Sequence, residues 1–557
     1  MRRRAADGAD LLVRLDASSP RPLYAQLYDG LREAILTGRL RGGARLPSTR
    51  VLAADLGVSR NTVVLAYERL RVEGYVAGRR GGGTRVRPVL PDPPLSAKAA
   101  GAIAPGAKPP ATTPTAAGGA IPATRGPLSA RAGGDSPRAR AAADLLASRG
   151  AVLAAAGASF PVRSGTPPIP FWLGVPALDA FPARLWGRLS ARRWRRGGVV
   201  LGDGDPAGEP ALREAIAAYV ANARGARCTP DQVFVVSGMQ QGVDLAARLL
   251  LDPGDAVWVE EPGYPGAHAT LRAAGARLVP VPVDEDGVDV ATGERAAPDA
   301  RMAYVTPSNQ FPLGAVLSAA RRLALLDWAH RAGAWILEDD YDSEFRFAGR
   351  PLVCLQGLEA ERRGAAEPAR VIYIGTFSKT LVPGLRLGYL IVPDALVDAF
   401  RAARAAIDRH PPTPLQLVLA DFIGEGHYAR HVRRVRALYA ERQATLLAAA
   451  EAELSGLLEL APAATGLHLV GWLPEDVDGA AAEAAAAAEG VRVYALSRYS
   501  IAPSPRPARD GLVLGYAGFD DAAIRAGVSG LRRALATLVR VGGASGPRAP
   551  SPQEESK

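Results

Sequence analysis

The spacing of apolar residues changes twice along the chain. Near the front they recur every four positions, so that Leu23, Leu27, Leu31 and Ile35 share one face of a helix expected between Pro22 and Thr37. Ser48 then stands where a hydroxyl caps a short helix over Thr49 to Asp55 that stops at Gly57. Ser59 caps a second, which turns Val63, Ala66, Tyr67 and Leu70 inward. The run YVAGRRGGGTRV, from Tyr75, predicts two short strands around a basic glycine turn. Beyond about Pro167 short apolar runs alternate with amphipathic stretches, the pattern of an α/β domain with a mainly parallel sheet. Between the two, from Pro88 to roughly Arg163, Ala, Pro, Gly, Thr and Ser dominate. Such a composition buries too little apolar area to offset the entropy of ordering it, and a flexible tether is expected, with at most transient helix in its Ala-rich part from Arg138 to Ala156. The expected division is a tail at 1–18, a front domain at 19–87, a linker at 88–165, a body at 166–541 and a second tail at 542–557.

Charge sharpens that division. Residues 1–90 hold 17 Lys+Arg against 8 Asp+Glu, which leaves the rest of a chain of net charge +11 close to neutral. Any polyanion is therefore expected at the front. There, two helices joined by a tight turn, with Arg60, Asn61 and Thr62 at the start of the second, make a helix-turn-helix pattern whose recognition side chains enter a major groove. The strands around Gly82 would be its wing. Two cysteines, Cys228 and Cys354, are too few for a disulfide framework. The basic MRRR opening is followed by no apolar core, and no run approaches the roughly 18 apolar residues of a membrane span. A cytoplasmic protein is expected.

The chemistry of the body centres on GTFSKTLVPGLRLG, Gly375 to Gly388. Lys379 follows a strand-like run, Val371 to Ile374, with Thr376, Ser378 and Arg386 nearby. A lysine that takes an aldehyde cofactor bearing a phosphate needs convergent donors and fixed positive charge beside it. The apolar run from Ala334 ends in EDDYDSEF, where Asp339 would sit against a pyridinium nitrogen. Tyr341, on the same side of an extended segment, would reach the phenolic oxygen. Gln232 to Val236 leads into SGMQQG, a strand, a small-residue turn and a helix whose free amides favour an anion at Ser237, Gly238, Met239 and Gln240. Tyr264 stands at a turn tip, where its ring can stack on a pyridine. Turns at the carboxyl ends of parallel strands gather at one crevice, which would bring Ser237, Tyr264, Asn309, Asp339 and Lys379 together.

The front stretch, Leu46 to Tyr75, matches LPS-R, L-A, LGVSR-TV, AY and EGY of the GntR regulators, and the body motifs in this order resemble fold type I aminotransferases. The whole chain resembles the MocR/GabR-type regulators, over Ser19 to about Arg87 and Pro168 to about Val539. That resemblance implies a winged helix-turn-helix, a long linker and an aminotransferase-like domain with a small C-terminal α/β subdomain. It implies Lys379 as the Schiff-base lysine for pyridoxal 5'-phosphate, with Asp339, Tyr341 and Tyr264 around the ring and Gly238, Met239, Thr376, Ser378 and Arg386 around the phosphate. Asn309 would support the phenolic oxygen, since Phe311 stands where aminotransferases place an Asn. Arg498 would grip an effector's carboxylate, and Arg50, Ser59, Arg60, Asn61, Thr62 and Gly82 would contact double-stranded DNA. The family member that senses γ-aminobutyrate has an Arg two positions after the stacking tyrosine, where this chain has Gly266. The implied function is regulation of transcription by a head-to-tail homodimer that senses a small amino compound through exchange of the aldimine at Lys379. The alternatives are a working aminotransferase with a DNA-binding appendage and a body kept only for dimerisation.

Overall fold

In the computed structural model, which describes residues 15–16, 23–36, 39–40, 43–72, 75–79, 83–86, 145–158, 168–198, 202–347, 352–364, 367–501 and 509–542, the four-residue repeat folds as helix α1 (Leu23–Leu36), with Leu27, Leu31 and Ile35 buried. Helix α2 (Thr49–Asp55) is capped by Ser48, whose hydroxyl accepts from Val51 N at 3.3 Å. Helix α3 (Arg60–Val72) buries Val63, Ala66, Tyr67 and Leu70 against α1. The tyrosine is anchored as well as packed, since its hydroxyl donates to Pro47 O at 2.9 Å. Strands β1 (Val76–Arg79) and β2 (Gly83–Val86) pair antiparallel, and Leu46 N donates to Thr84 O at 2.8 Å, tying the wing to the segment before α2. Asp16, within the stretch expected as a tail, exchanges two hydrogen bonds with Gln26 of α1. Residues 1–14 and 543–557, like Gly82, lie outside the described residues.

The chain divides into two compact units, Met1–Leu128 and Ser129–Lys557. The second includes a helix where composition led us to expect at most a transient one. Helix α4 (Ser148–Ala158) lies within the expected linker, yet Arg149 donates from Nε to Ala273 O at 3.0 Å and from Nη2 to Ala274 O at 3.1 Å. Those carbonyls end a helix of the body, and a guanidinium there satisfies orphan acceptors at the negative end of the helix dipole. Helix α4 lies along that body helix with most of its described side chains exposed, and the Arg149 bonds join the two, so its composition resembled that of a tether.

The large sheet of this unit contains β3 (Val233–Val236), β4 (Ala256–Glu261), β5 (Arg277–Asp284), β6 (Gly287–Val288), β7 (Met302–Val305), β8 (Trp335–Asp340), β9 (Val371–Thr376) and β10 (Gly388–Ile391). Their order is β3-β10-β9-β8-β7-β4-β5-β6; β6 and β10 run against six parallel strands. Helices α5 (Pro210–Arg224), α6 (Met239–Leu250), α7 (Pro265–Ala273) and α8 (Ala319–Ala332) are among those covering it. Neighbouring residues of one strand enter opposite cores: Phe234, Val236, Leu337, Ile372 and Ile374 pack with Val243 of α6 and Leu271 of α7. Val233, Val235 and Tyr373 pack with Leu212 and Ile216 of α5, while Ile336 and Trp258 meet Leu325 and Trp328 of α8. A sheet buried on both faces needs apolar runs rather than alternation, which is the pattern the sequence carries. A smaller antiparallel sheet, β11 (Glu459–Leu460), β12 (His468–Trp472), β13 (Tyr494–Ala495) and β14 (Gly511–Gly515), in the order β11-β12-β14-β13, packs with α9 (His427–Glu453), α10 (Gly479–Ala488) and α11 (Asp521–Gly542).

Candidate functional site

The parallel strands of the body point their carboxyl ends to one edge, and the turns that follow β3, β4, β7, β8 and β9 carry the candidate residues. After β3, Gly238 precedes the first turn of α6 with φ +90°, a backbone that favours glycine, and a Cβ there would lie 2.7 Å from Nη2 of Arg386. Arg386, just before the antiparallel β10, donates from Nη2 to Ser237 O at 2.7 Å. The free amides of Met239 and its neighbours, the guanidinium and the Thr376 and Ser378 hydroxyls of the β9 turn make a donor set suited to a phosphate dianion. Within that turn Ser378 N donates to Thr376 Oγ1 at 3.1 Å, and Lys379 Nζ donates to Gly174 O at 3.1 Å.

Strand alternation sorts the carboxylates of β8. Glu338 and Asp340 face one side, where Glu338 accepts from Leu355 N and Gln356 N, and Asp340 accepts from Tyr373 at 2.5 Å and pairs with Arg224 at 3.0 Å. Asp339 faces the other. Its Oδ2 accepts the Tyr304 hydroxyl at 2.5 Å, whereas its Oδ1 is buried without a hydrogen-bond partner among the described residues. Burial first, then Asp340 and Glu260, push the Asp339 carboxyl up to about 7 against the lowering influence of the Tyr304 hydrogen bond and Lys379. A buried carboxylate oxygen with no donor fits a protonated ring nitrogen. Tyr341 follows at the strand end, and Asn309 donates from Nδ2 to its hydroxyl at 3.0 Å and to Asp342 Oδ2 at 2.7 Å.

Tyr264 is the N-cap residue of α7, and burial followed by the Asp339 charge pushes its hydroxyl up to about 12. Its ring lies over Gly266, where a Cβ would come within 2.7 Å of the tyrosine oxygen. Gln240 donates to Gly266 O at 2.7 Å and to Thr270 Oγ1, joining the phosphate turn to the helix that carries the ring. Phe311 sits against Tyr264, Tyr341, His468 and Tyr499, each edge-on or nearly so, as one wall of the crevice. The small subdomain closes on this turn: Gly263 N donates to Tyr499 O at 3.0 Å and Ile501 N to Glu261 at 2.9 Å.

Gly238 thus lies against Arg386, Asn309 against Tyr341, and Tyr264 is joined to Tyr341 through Phe311, while Lys379 is near enough to Asp339 to act on its charge. Arg498 is placed differently: it is half exposed and paired with Glu483 of α10. Sequence reasoning missed Tyr304, Phe311 as a wall rather than a missing Asn, and the Gly174 carbonyl. Only the first had a signal. Parallel pairing of β7 with β8 sets Tyr304 beside Leu337, two residues before Asp339 on the same face, but the pairing itself is not written in either strand.

In the first unit Arg50, Ser59 and Arg60 are exposed. Ser59 Oγ accepts from Thr62 N at 3.2 Å and lies 2.9 Å from Thr62 Oγ1, capping α3. Arg60 Nε donates to Thr49 Oγ1 at 3.4 Å, which sets the guanidinium across the start of both helices. Asn61 occupies the first turn of α3.

A helix-turn-helix with a wing and, separately, a two-subdomain body with a lysine, a buried aspartate and a phosphate-type turn define a DNA-binding regulator joined to an aminotransferase fold. Residues 23–86 match the model of the bacterial regulatory proteins of the gntR family, and residues 190–511 match aminotransferase class I and II. The probable rhizopine catabolism regulatory protein MocR of Rhizobium meliloti is 40% identical over 94% of this chain and 96% of its own length. The transcriptional regulator TauR of Rhodobacter capsulatus is 34% identical over 92% of this chain and 96% of its own. Among solved structures, the α-aminoadipate aminotransferase LysN of Thermus thermophilus, complexed with N-(5'-phosphopyridoxyl)-L-leucine, superposes with a TM-score of 0.60 at 30% identity, covering 67% of this chain and 92% of that one. The chain belongs to the MocR-type regulators, in which a GntR-type DNA-binding domain is joined to a class I and II aminotransferase domain.

Proposed function

We propose that this regulator holds pyridoxal 5'-phosphate in the body at Lys379 and answers a small primary amine. When bound, the cofactor supplies an aldehyde that exchanges between the lysine and the incoming amine. The reading is carried by the buried, unpartnered Oδ1 of Asp339 beside Lys379. Gly238, Met239, Thr376, Ser378 and Arg386 hold the phosphate, Tyr264 covers the ring, and Tyr341 with Asn309 supports its phenolic oxygen. Arg498 takes the effector's carboxylate after leaving Glu483. A homodimer presents two α3 helices to paired half-sites in the cytoplasm, with Arg50, Ser59, Arg60, Asn61, Thr62 and the wing at Gly82 on the DNA. The effector shifts operator affinity only by its differential binding to two states of the protein.

The test is reconstitution with pyridoxal 5'-phosphate followed by visible absorbance and borohydride trapping. Wild type gains the absorbance and is labelled at Lys379, while Lys379→Ala gains neither; equal absorbance in the variant places the cofactor elsewhere. Steady turnover with an amino donor and a keto acid would instead favour a working aminotransferase.

A further inference from the structure

Asp339 is held by one bond that its own strand does not supply. Tyr304, on β7, is 1% exposed, and its hydroxyl gives its single proton to Asp339 Oδ2 at 2.5 Å. The other oxygen is buried and has no partner among the described residues. A carboxylate with two free oxygens can rotate about its Cβ–Cγ bond, and only one orientation meets a ring nitrogen well. We infer that Tyr304 is a positioning residue that fixes one Asp339 oxygen and thereby presents the other to the nitrogen of a pyridine ring. The inference rests on the reading of the crevice as a pyridoxal phosphate site.

The surroundings support it. Asp340 on the same strand and Glu260 on β4 both oppose ionisation of Asp339, and burial opposes it most. Against them stand the Tyr304 hydrogen bond and, from the β9 turn, Lys379. The hydroxyl is a permanent donor, because burial first, and then the Asp339 charge, hold it far above the ordinary phenol range. Its ring packs in the core between sheet and helix, so a phenylalanine keeps the packing and removes only the donor.

Full-length Tyr304→Phe is reconstituted with pyridoxal 5'-phosphate carrying ¹⁵N in the ring, and its dissociation constant and ring-nitrogen chemical shift are compared with wild type. Expected are a dissociation constant weaker by about tenfold and a nitrogen shifted toward its unprotonated value at neutral pH. The double variant with Asp339→Asn should bind no more weakly than Asp339→Asn alone. A wild-type constant and shift in Tyr304→Phe, or additive losses in the double variant, overturn the inference. Should Tyr304→Phe fail to fold by circular dichroism, 3-fluorotyrosine at position 304, a stronger donor, must move the nitrogen toward its protonated value; no movement overturns the inference. A wild type that takes up no cofactor overturns the reading of the site and this inference with it, whereas a loaded wild type beside an unchanged variant overturns the inference alone.

Discussion

Asp339 burdens the cofactor-free protein. Its folded pKa of about 7 lies above the roughly 4 of an unfolded aspartate, so the folded state holds the proton more tightly. Such a group favours the folded state at low pH, and that contribution is lost as pH rises from about 4 to about 7, at up to about 1.4 kcal/mol per pH unit. Glu260 and Glu338, also pushed up to about 7 by burial, act in the same direction. Asp339→Asn removes the term, so cofactor-free Asp339→Asn should gain stability relative to wild type as pH rises from 5 to 7, as read by urea denaturation at several pH values. A difference independent of pH would contradict the buried, proton-binding aspartate. Arg498 allows a second test. If it takes a carboxylate, Glu483→Gln should tighten binding of amino acids a few-fold while leaving simple amines unchanged, as read by the visible spectrum. At this scale Lys379 and Asp339 were singled out as candidates because their neighbours in sequence share their chemistry. Tyr304 was not, because its partner lies 35 residues away on another strand.

Elements were legible where their ends are local. Ser48 and Ser59 cap the helices they were expected to cap, since a hydroxyl before a helical run acts on amides two or three residues on. Ser48→Ala should cost about 1 kcal/mol and lower the melting temperature of the first unit without changing its fold. The antiparallel β10, which delivers Arg386 to the crevice edge, could not be read from GYLI, because an apolar run has no direction. Helix α4 was hidden for a related reason: Arg149 finds its carbonyls more than a hundred residues later. Arg149→Ala removes both bonds, and amide exchange over 148–158 should quicken in that variant with the cofactor absorbance intact. Unchanged protection would mean that packing rather than the guanidinium holds the helix.

On the scale of the molecule, the lopsided charge and the match to the gntR family both put DNA binding at the front. Arg60→Ala should weaken operator binding while the cofactor spectrum stays as in wild type. If the guanidinium meets a phosphate, the slope of log affinity against log salt falls by about one; if it meets a base, one position of the operator loses discrimination worth about 1–3 kcal/mol. Loss of both signals together would show that the two units do not fold separately. Gly266 bears on how a chain of this design changes what it answers to. A longer residue there and the present Tyr264 rotamer exclude each other. A relative that keeps the tyrosine and carries an arginine two positions on must therefore seat that ring in another rotamer, so one replacement at this point is expected to move the aromatic neighbour as well as add a charge.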